Sequence, residues 1–295
     1  MDTRIPVPIR LTTLTILIVM GGCSSTPKGG AAAGTIYVNG DTRSNIYSFD
    51  LASGAKSQRV AGADPYPTPQ GTILCINTKT QALGEYGADG TTFSIIAAQS
   101  LAPDGDTHDD HFQNPQLSPD GQYVAYEGQL GYTFDIYVVA RNGGTLLASV
   151  NPPAVGEGYV RPTWTPDGLL VVAGGPTNPG LYLSDTTWTN FTRFDQNLAS
   201  PDQPAVSPDG KTVAFVLNNH IFTVGIDGTG VTQRTTTSGK ESWPSWSPDG
   251  QSLVFYTDTS VETLALAGGA TLDLSTLDAN FTTFTVFYGG QMSWR

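Results

Sequence analysis

The feature that most constrains this chain is a turn phrase that returns four times, a small hydroxyl residue followed by Pro-Asp-Gly. The copies begin at Ser118, Thr165, Ser207 and Ser247, and a degenerate copy, Thr-Pro-Gln-Gly, begins at Thr68. Recurrence at intervals of about 40 to 50 residues is typical of architectures that repeat one supersecondary unit. The phrase therefore predicts a propeller or a solenoid before any residue is considered for chemistry.

Each copy stands within the same pattern of strands. A short segment with Pro precedes the phrase, as in residues 161–164, and an alternating strand follows it, as in residues 212–216. A further strand then opens with an aliphatic-aromatic pair, such as Ile136-Tyr137, and a Thr-rich segment such as 231–234 comes last. Four strands in each unit fit one blade of a β-propeller.

The Pro-Asp-Gly element has a structural explanation. Pro fixes φ near −65°, Asp accepts hydrogen bonds from nearby backbone N–H groups, and Gly supplies the positive φ that closes the turn. We therefore assign Asp120, Asp167, Asp209 and Asp249 to turn geometry rather than to catalysis.

The two ends of the repeat region predict how the ring closes. Residues 35–38 and 45–49 resemble the second and third strands of a unit whose first strand is missing, and residues 291–294 match the inner strand at 243–246. One strand from the C-terminal end would complete the N-terminal blade and remove the open sheet edges. The expected fold is all-β, a six-bladed β-propeller spanning residues 34–295.

The N-terminal segment predicts export and lipidation. Residues 1–22 have the layout of a signal peptide, with two Arg residues, a short apolar run and two Gly residues before Cys23. That ending resembles a bacterial lipobox, which implies cleavage before Cys23 and acyl chains on the new N-terminus. Residues 23–33 are small and predict a flexible tether. Ser24 resembles the sorting pattern of outer-membrane lipoproteins, so we expect a lipid-anchored protein of the cell envelope, facing the periplasm.

Composition excludes some partners. The formal charge is −12, and removing residues 1–22 leaves 12 basic and 25 acidic residues. Such a surface argues against binding nucleic acid or anionic lipid directly, so contact with the membrane would be through the N-terminal lipid. Cys75 is the only Cys besides Cys23, and it lies in an apolar run, so we expect a buried free thiol and no disulfide in the exported domain. We expect a monomer.

The repeated phrase, with a Trp before it and an Ile-Tyr-type strand after it, resembles the repeats of TolB-type six-bladed propellers over residues 34–295. The resemblance implies a propeller platform in the cell envelope. TolB proteins carry an additional N-terminal α/β domain that has no counterpart in this sequence. The partnership of TolB with the Pal lipoprotein and with colicins is therefore not implied for this chain.

In a propeller, the loop that leads into each inner strand opens at the mouth of the central channel, where ligands usually bind. Alignment on the turn phrase places one residue of each unit directly before the inner-strand Pro, with Gln291 in register for the closing blade. These candidate ligand-binding residues are Asp64, Asn114, Arg161, Gln203 and Trp243. Such a ring could bind a small polar ligand or a peptide end, or its residues could be polar because the channel holds water.

A segment rich in His and Asp precedes the inner strand at Pro115. Imidazole and carboxylate groups at this density could hold a divalent metal, although the spacing is not a recognised ligand pattern and acidic loops are usually solvated. The candidate ligands are Asp106, His108, Asp109, Asp110 and His111. Apart from this possible metal, the sequence predicts no cofactor.

Two functions follow from these features. The first is a non-enzymatic envelope lipoprotein whose propeller binds a protein or peptide partner through its loop face, because no nucleophile elbow, phosphate loop or metalloprotease motif is present in the sequence. The alternative is a metal-dependent lyase or hydrolase that acts on a polysaccharide or lactone through residues 104–111. The sequence favours the first, with no catalytic residue assigned.

Overall fold

The computed structural model describes residues 34–39, 44–98, 112–130, 133–150, 158–268, 271–274 and 291–295. Over these ranges the chain forms six four-stranded antiparallel sheets. None of the described residues belongs to a helix long and apolar enough to cross a membrane. The predicted signal peptide, Cys23, the tether and the candidate metal ligands between 104 and 111 lie outside the described residues.

Each sheet is one blade, whose first strand lies at the channel and whose fourth lies at the periphery. The first blade consists of β24 (Ser293–Trp294), β1 (Thr35–Asn39), β2 (Ile46–Asp50) and β3 (Lys56–Val60). The second consists of β4 (Ala63–Pro67), β5 (Ile73–Asn77), β6 (Ala82–Tyr86) and β7 (Phe93–Ala97). The third consists of β8 (Gln113–Leu117), β9 (Tyr123–Leu130), β10 (Thr133–Ala140) and β11 (Leu146–Val150).

The remaining three blades follow without crossovers. The fourth consists of β12 (Tyr159–Trp164), β13 (Leu170–Gly174), β14 (Leu181–Ser184) and β15 (Phe191–Arg193). The fifth consists of β16 (Asp202–Val206), β17 (Thr212–Leu217), β18 (His220–Gly225) and β19 (Thr232–Gln233). The sixth consists of β20 (Ser242–Trp246), β21 (Ser252–Tyr256), β22 (Val261–Ala265) and β23 (Thr271–Asp273).

The ring closes as the sequence predicts. Strand β24 pairs with β1, with Trp294 opposite Ile36 and Ser293 opposite Tyr37. The inner strands contact one another in succession around the channel, and β24 lies between β20 and β4. The predicted six-bladed propeller, with a C-terminal strand completing the N-terminal blade, is therefore confirmed.

The turn phrase joins the inner strand of a blade to its second strand. In the third blade, the Ser118 hydroxyl donates to Asp120 Oδ1 at 2.6 Å and accepts the N–H of Tyr123 at 2.9 Å. Asp120 Oδ1 also accepts the N–H of Gln122, and Gly121 has φ 72°. The same hydroxyl-to-carboxylate contact recurs at Asp167, Asp209 and Asp249. Asp therefore closes the turn in each copy.

The core consists of packing between neighbouring blades. Six clusters of buried apolar side chains occur among the described residues, one at each blade interface. Inner and middle strands are covered on both faces, so β5 is buried along its whole length. The outermost strand β3 instead exposes three of its five residues. This difference explains the continuous apolar runs after each turn phrase and the polar segments that end each unit.

Tryptophan side chains connect some inner strands to the inner strand of the preceding blade by hydrogen bonds. The indole N–H of Trp164 donates to the carbonyl of Gln116 in the preceding blade at 3.0 Å, and that of Trp246 donates to the carbonyl of Ala205 at 2.9 Å. The closing strand contributes Trp294, which is 3% exposed and packs with Ile36 and Met292. These bulky side chains hold the ring together from its inner wall.

Replacement of Trp294 by Ala tests the closing strand. Truncating a buried aromatic side chain should lower the free energy of unfolding by about 3 to 5 kcal/mol, because it leaves a cavity between the first and sixth blades. Urea unfolding followed by tryptophan fluorescence and far-ultraviolet circular dichroism measures the loss. Leu146→Ala is the control, since Leu146 is 55% exposed and its truncation should change stability little. Equal stability of the two variants would contradict closure by β24.

Candidate functional site

The central channel contains a cavity of about 390 Å³, which is lined by residues of all six inner strands. Five of the six positions that the repeat alignment singles out line it: Asn114, Arg161, Gln203, Trp243 and Gln291. The sixth, Asp64, is fully buried and is not among the lining residues. The structure thus places five of the six predicted residues around the cavity, and only Asp64 does not line it.

A repeated backbone feature places these residues. In blades two to six, the inner strand holds one extra residue opposite its neighbour, which is a β-bulge before the Pro. The residue at this bulge has a positive φ between 50° and 57° in every case. The five bulge residues are Asp64, Asn114, Arg161, Gln203 and Trp243. A left-handed conformation costs an L-residue about 1 to 2 kcal/mol, and its recurrence shows that it belongs to the blade architecture.

The bulge turns the N–H of its residue away from the strand ladder, so that N–H needs another acceptor. In four blades the acceptor is a side chain of the preceding blade. Asn39 Oδ1 accepts from Asp64 at 2.8 Å, Asp64 Oδ2 from Asn114 at 3.2 Å, Glu127 Oε1 from Arg161 at 2.7 Å and Gln203 Oε1 from Trp243 at 2.6 Å. In the fifth blade, Asp202 Oδ1 accepts the N–H of Gln203 at 2.8 Å.

These contacts divide the predicted residues into two groups. Asp64 and Gln203 use a side-chain oxygen to hold the next blade, so their polarity has a structural reason. Asn114, Arg161, Trp243 and Gln291 make no such contact among the described hydrogen bonds and line the cavity. The groups available to a ligand are therefore fewer than the repeat alignment suggests.

Arg161 and Trp243 form the most prominent pair at the mouth. The Arg161 guanidinium carbon lies 5.5 Å from the centre of the Trp243 ring, in cation–π geometry. Arg161 Nη1 is also 2.9 Å from Asp202 Oδ1, and about 29% of the Arg161 side chain is exposed. The pair therefore presents an oriented cation and an aromatic surface to the channel.

Glu127 is the residue of this site that the repeat alignment does not find. It is buried, and it accepts hydrogen bonds from the Asn114 amide and from the N–H of Arg161. Burial raises the pKa of Glu127, while the charge of Arg161 and the two hydrogen bonds oppose that rise. The sequence does contain a signal for Glu127, because among the aligned second strands only this blade has a carboxylate at its position. The equivalent residues in four other blades are Ile76, Ala173, Val216 and Tyr256.

Two amide oxygens at the mouth, Asn114 Oδ1 and Gln291 Oε1, are buried and have no hydrogen-bond partner among the described residues. Arg161 Nε is a third such atom, this time a donor. Asn114 donates its amide N–H to Glu127, which leaves its Oδ1 as an acceptor. The mouth therefore offers both donors and acceptors to a bound molecule.

The candidate metal ligands Asp106, His108, Asp109, Asp110 and His111 precede β8 in the chain, outside the described residues. Over the part of the chain that the structure describes, no group of three or more His, Cys, Asp or Glu residues is arranged to hold a metal ion. The metal site therefore stays a prediction. Cys75, predicted as a buried free thiol, is fully buried, and burial raises its pKa strongly.

Comparison with known proteins supports the fold. No family model matches the sequence, and no curated protein matches it either. Among solved structures, TolB from Acinetobacter baumannii is 17% identical, with a TM-score of 0.64 over 90% of this chain and 67% of that chain. The predicted TolB-like six-bladed propeller is thus confirmed at the level of the fold.

Other propellers of known structure are similar as well. A chain of a nidogen/laminin complex is 12% identical, with a TM-score of 0.64 over 88% of this chain and 97% of that chain. A puromycin-hydrolysing peptidase from Mycobacterium tuberculosis is 14% identical, with a TM-score of 0.57 over 80% of this chain. The match spans only 41% of the peptidase, which is much longer than the shared region. At these identities the similarity concerns the fold alone.

A second buried carboxylate lies beside Glu127 in the third blade. Asp135 pairs with Gly128 across β9 and β10, and it is 2% exposed. Burial raises the pKa of Asp135 to about 6, against the hydrogen bond from Tyr137, which lowers it. Because the folded-state pKa exceeds the ordinary value of 3.8, ionisation of Asp135 opposes folding. This destabilising contribution of Asp135 is absent below pH 3.8. It grows as the pH rises from 3.8 to about 6, and it is complete above pH 6.

Replacement of Asp135 by Asn should remove this pH dependence. Between about pH 4 and about pH 8, the free energy of unfolding of the variant should rise relative to the wild type by on the order of 1 kcal/mol. Urea unfolding at both pH values measures the change. Asp89→Asn is the control, because hydrogen bonds from Thr91 lower the pKa of Asp89, so its linkage lies below about pH 4 and the relative stability of this variant should stay constant over the same range. A relative stability of Asp135→Asn that does not change with pH would contradict the raised pKa.

Proposed function

We propose that this chain is a cell-envelope lipoprotein whose propeller binds a protein or peptide partner at the channel mouth, without catalysing a reaction on it. The observation that carries this proposal is the Arg161–Trp243 pair beside the 390 Å³ cavity. Trp and Arg are enriched among the residues that contribute most to protein interfaces. Because left-handed backbone and the preceding blade fix both residues, recognition at this mouth loses little conformational entropy.

The surroundings of the pair are those of a recognition site. The rest of the described lining includes several Pro side chains and short hydroxyl side chains, such as Pro162, Thr163, Pro244 and Ser245. Rigid apolar walls with a few convergent polar groups are typical of ligand pockets. A nidogen/laminin complex with a similar propeller supports a protein partner for this chain.

A second candidate function is enzymatic, since a similar propeller fold occurs in a puromycin-hydrolysing peptidase. In this alternative the chain is a metal-dependent lyase or hydrolase acting on a polysaccharide or lactone. Residues 104–111 would supply the metal ligands. The chain leads from that segment into β8, which carries Asn114 of the channel mouth.

The lipoprotein part of the proposal rests on the N-terminal sequence. Replacement of Cys23 by Ser should abolish incorporation of labelled palmitate and move the protein from the membrane fraction to the soluble envelope fraction, because the thiol accepts the diacylglycerol before cleavage. Cys75→Ser is the matched control, since Cys75 is buried in the propeller and should not affect acylation. Retained membrane association of Cys23→Ser would contradict the anchor.

The binding function can be tested by selecting ligands from a random heptapeptide display library on the purified full chain. We expect the selected peptides to bind Arg161→Met and Trp243→Leu about 30-fold more weakly, because each change removes an anchor of the mouth worth about 2 kcal/mol. Affinity is measured by isothermal titration calorimetry. Equal binding by both variants would sink the assignment of the mouth as the binding site.

Two control variants sharpen this experiment. Arg193→Met makes the same change as Arg161→Met at a residue that pairs with Asp195 in the fourth blade and is absent from the cavity lining. It should leave peptide binding unchanged. The double variant His108→Ala, His111→Ala should also leave binding unchanged, whereas loss of bound metal together with loss of hydrolytic or lyase activity in that variant would favour the enzyme.

A further inference from the structure

Two buried acceptors at the channel mouth have no partner, and this requires a physical reason. Asn114 is 4% exposed and Gln291 is 6% exposed, and the carbonyl oxygen of each amide is without a hydrogen bond. A buried polar atom that has lost its water and gained no partner destabilises the folded state. Such atoms are rare in folded proteins, so two of them at one cavity, neither with a partner in the part of the chain that the structure describes, favour a donor that enters the cavity.

The two acceptors flank a buried carboxylate. Gln291 belongs to the first blade and Asn114 to the third, and Asp64 occupies the same repeat position in the blade between them. Asp64 accepts hydrogen bonds from the Asn39 amide at 3.1 Å and from the N–H of Asn114 at 3.2 Å. The Asn114 amide in turn contacts Glu127. This half of the mouth therefore combines free acceptors with a negative electrostatic field behind them.

The opposite half of the mouth has the complementary arrangement. Arg161 and Trp243 flank Gln203 and meet each other, and Arg161 is held by Asp202. The Arg161 guanidinium thus has Asp202 and Trp243 as its own partners, and its charge also acts on Glu127, the carboxylate that Asn114 contacts. Arg295 also lines the cavity, and its guanidinium carbon lies 4.6 Å from the centre of the Tyr66 ring, so this second cation is likewise engaged by a contact of its own.

We propose that the channel mouth binds a primary ammonium group, which donates hydrogen bonds to Asn114 Oδ1 and Gln291 Oε1. A primary ammonium has three donors and no acceptor, which matches a site composed of acceptors. Hydrogen bonds that involve a charged group are stronger than those between neutral groups. Asp64 does not contact the ligand, and it stabilises the bound cation through its charge. This inference rests on the proposed function, because it names the group of the partner that enters the cavity.

The simplest test uses n-butylammonium as the probe and the purified full chain as the receptor, with affinity measured by a saturation-transfer NMR titration. Gln291→Met keeps the length of the side chain and removes the acceptor, so we expect at least tenfold weaker binding. Gln116→Met makes the same change at another residue that lines the cavity, and it should bind as the wild type does. Equal losses in both variants, or in neither, would overturn the proposal.

A gain-of-affinity variant guards against misfolding as the cause of any loss. Gln291→Glu places a carboxylate at the same position, so it should bind n-butylammonium several-fold more tightly than the wild type. Tetramethylammonium carries the same charge and has no N–H donor, so it should bind at least tenfold more weakly than n-butylammonium. Equal affinity for the two cations, or preferential binding of calcium chloride at the same site, would overturn the assignment to an ammonium donor.

The source of the ammonium group is distinguished with two short peptides. One has an acetylated N-terminus and a single Lys, and the other has a free N-terminus and no Lys. Binding of only one identifies a lysine side chain or a chain terminus as the source, and binding of neither overturns the proposal. Selected heptapeptides that depend on Arg161 and Trp243 but bind Gln291→Met normally would overturn the ammonium site while leaving the proposed function intact.

Discussion

The structure depends on one constraint that each blade repeats, the backbone N–H of the bulge residue before the inner-strand Pro. The bulge removes that N–H from the strand ladder, and an unsatisfied buried donor would cost about 1 to 3 kcal/mol in every blade. Four blades satisfy it with a side chain of the preceding blade. In these blades the same hydrogen bond therefore satisfies the displaced N–H and connects adjacent blades. The blades are thus joined by polar contacts at the channel mouth and by apolar packing elsewhere.

This constraint also determines which mouth residues remain free for a ligand. Where a bulge side chain serves the next blade, as Gln203 does for Trp243, its acceptor is already used. Glu127 takes over this role in the third blade, and Asn114 is consequently left with a free oxygen. Asn39, in the second strand of the first blade, takes the same role for the N–H of Asp64, and the bulge-position residue of that blade, Gln291, likewise keeps a free oxygen. Functional asymmetry in this propeller arises from how a repeated structural requirement is met differently in different blades.

The sequence predicts the architecture well because the architecture is repeated. The turn phrase, the inner-strand Pro and the alternating strands give the blade count and the closing strand, and the structure confirms both. Of the mouth residues that the repeat alignment singles out, all but Asp64 line the cavity. Single-copy features are harder to predict. The role of Glu127 depends on which strand it faces across a blade interface, and Asp64 and Asn114 look equivalent until the acceptors of their neighbours are known. Such distinctions require three-dimensional contacts, since repeat spacing alone is the same for every blade.

The fold does not by itself choose between binding and catalysis, because similar propellers occur in a nidogen/laminin complex and in a peptidase. The choice depends on what the channel residues can do once the structural hydrogen bonds are made. At this mouth the remaining groups are a guanidinium stacked on an indole and two amide oxygens near a buried carboxylate. These groups can recognise the charge and shape of a partner through reversible, noncovalent contacts. In the proposed binding function these recognition groups lie on the inner strands, whereas the enzymatic alternative relies on residues 104–111, outside the described residues.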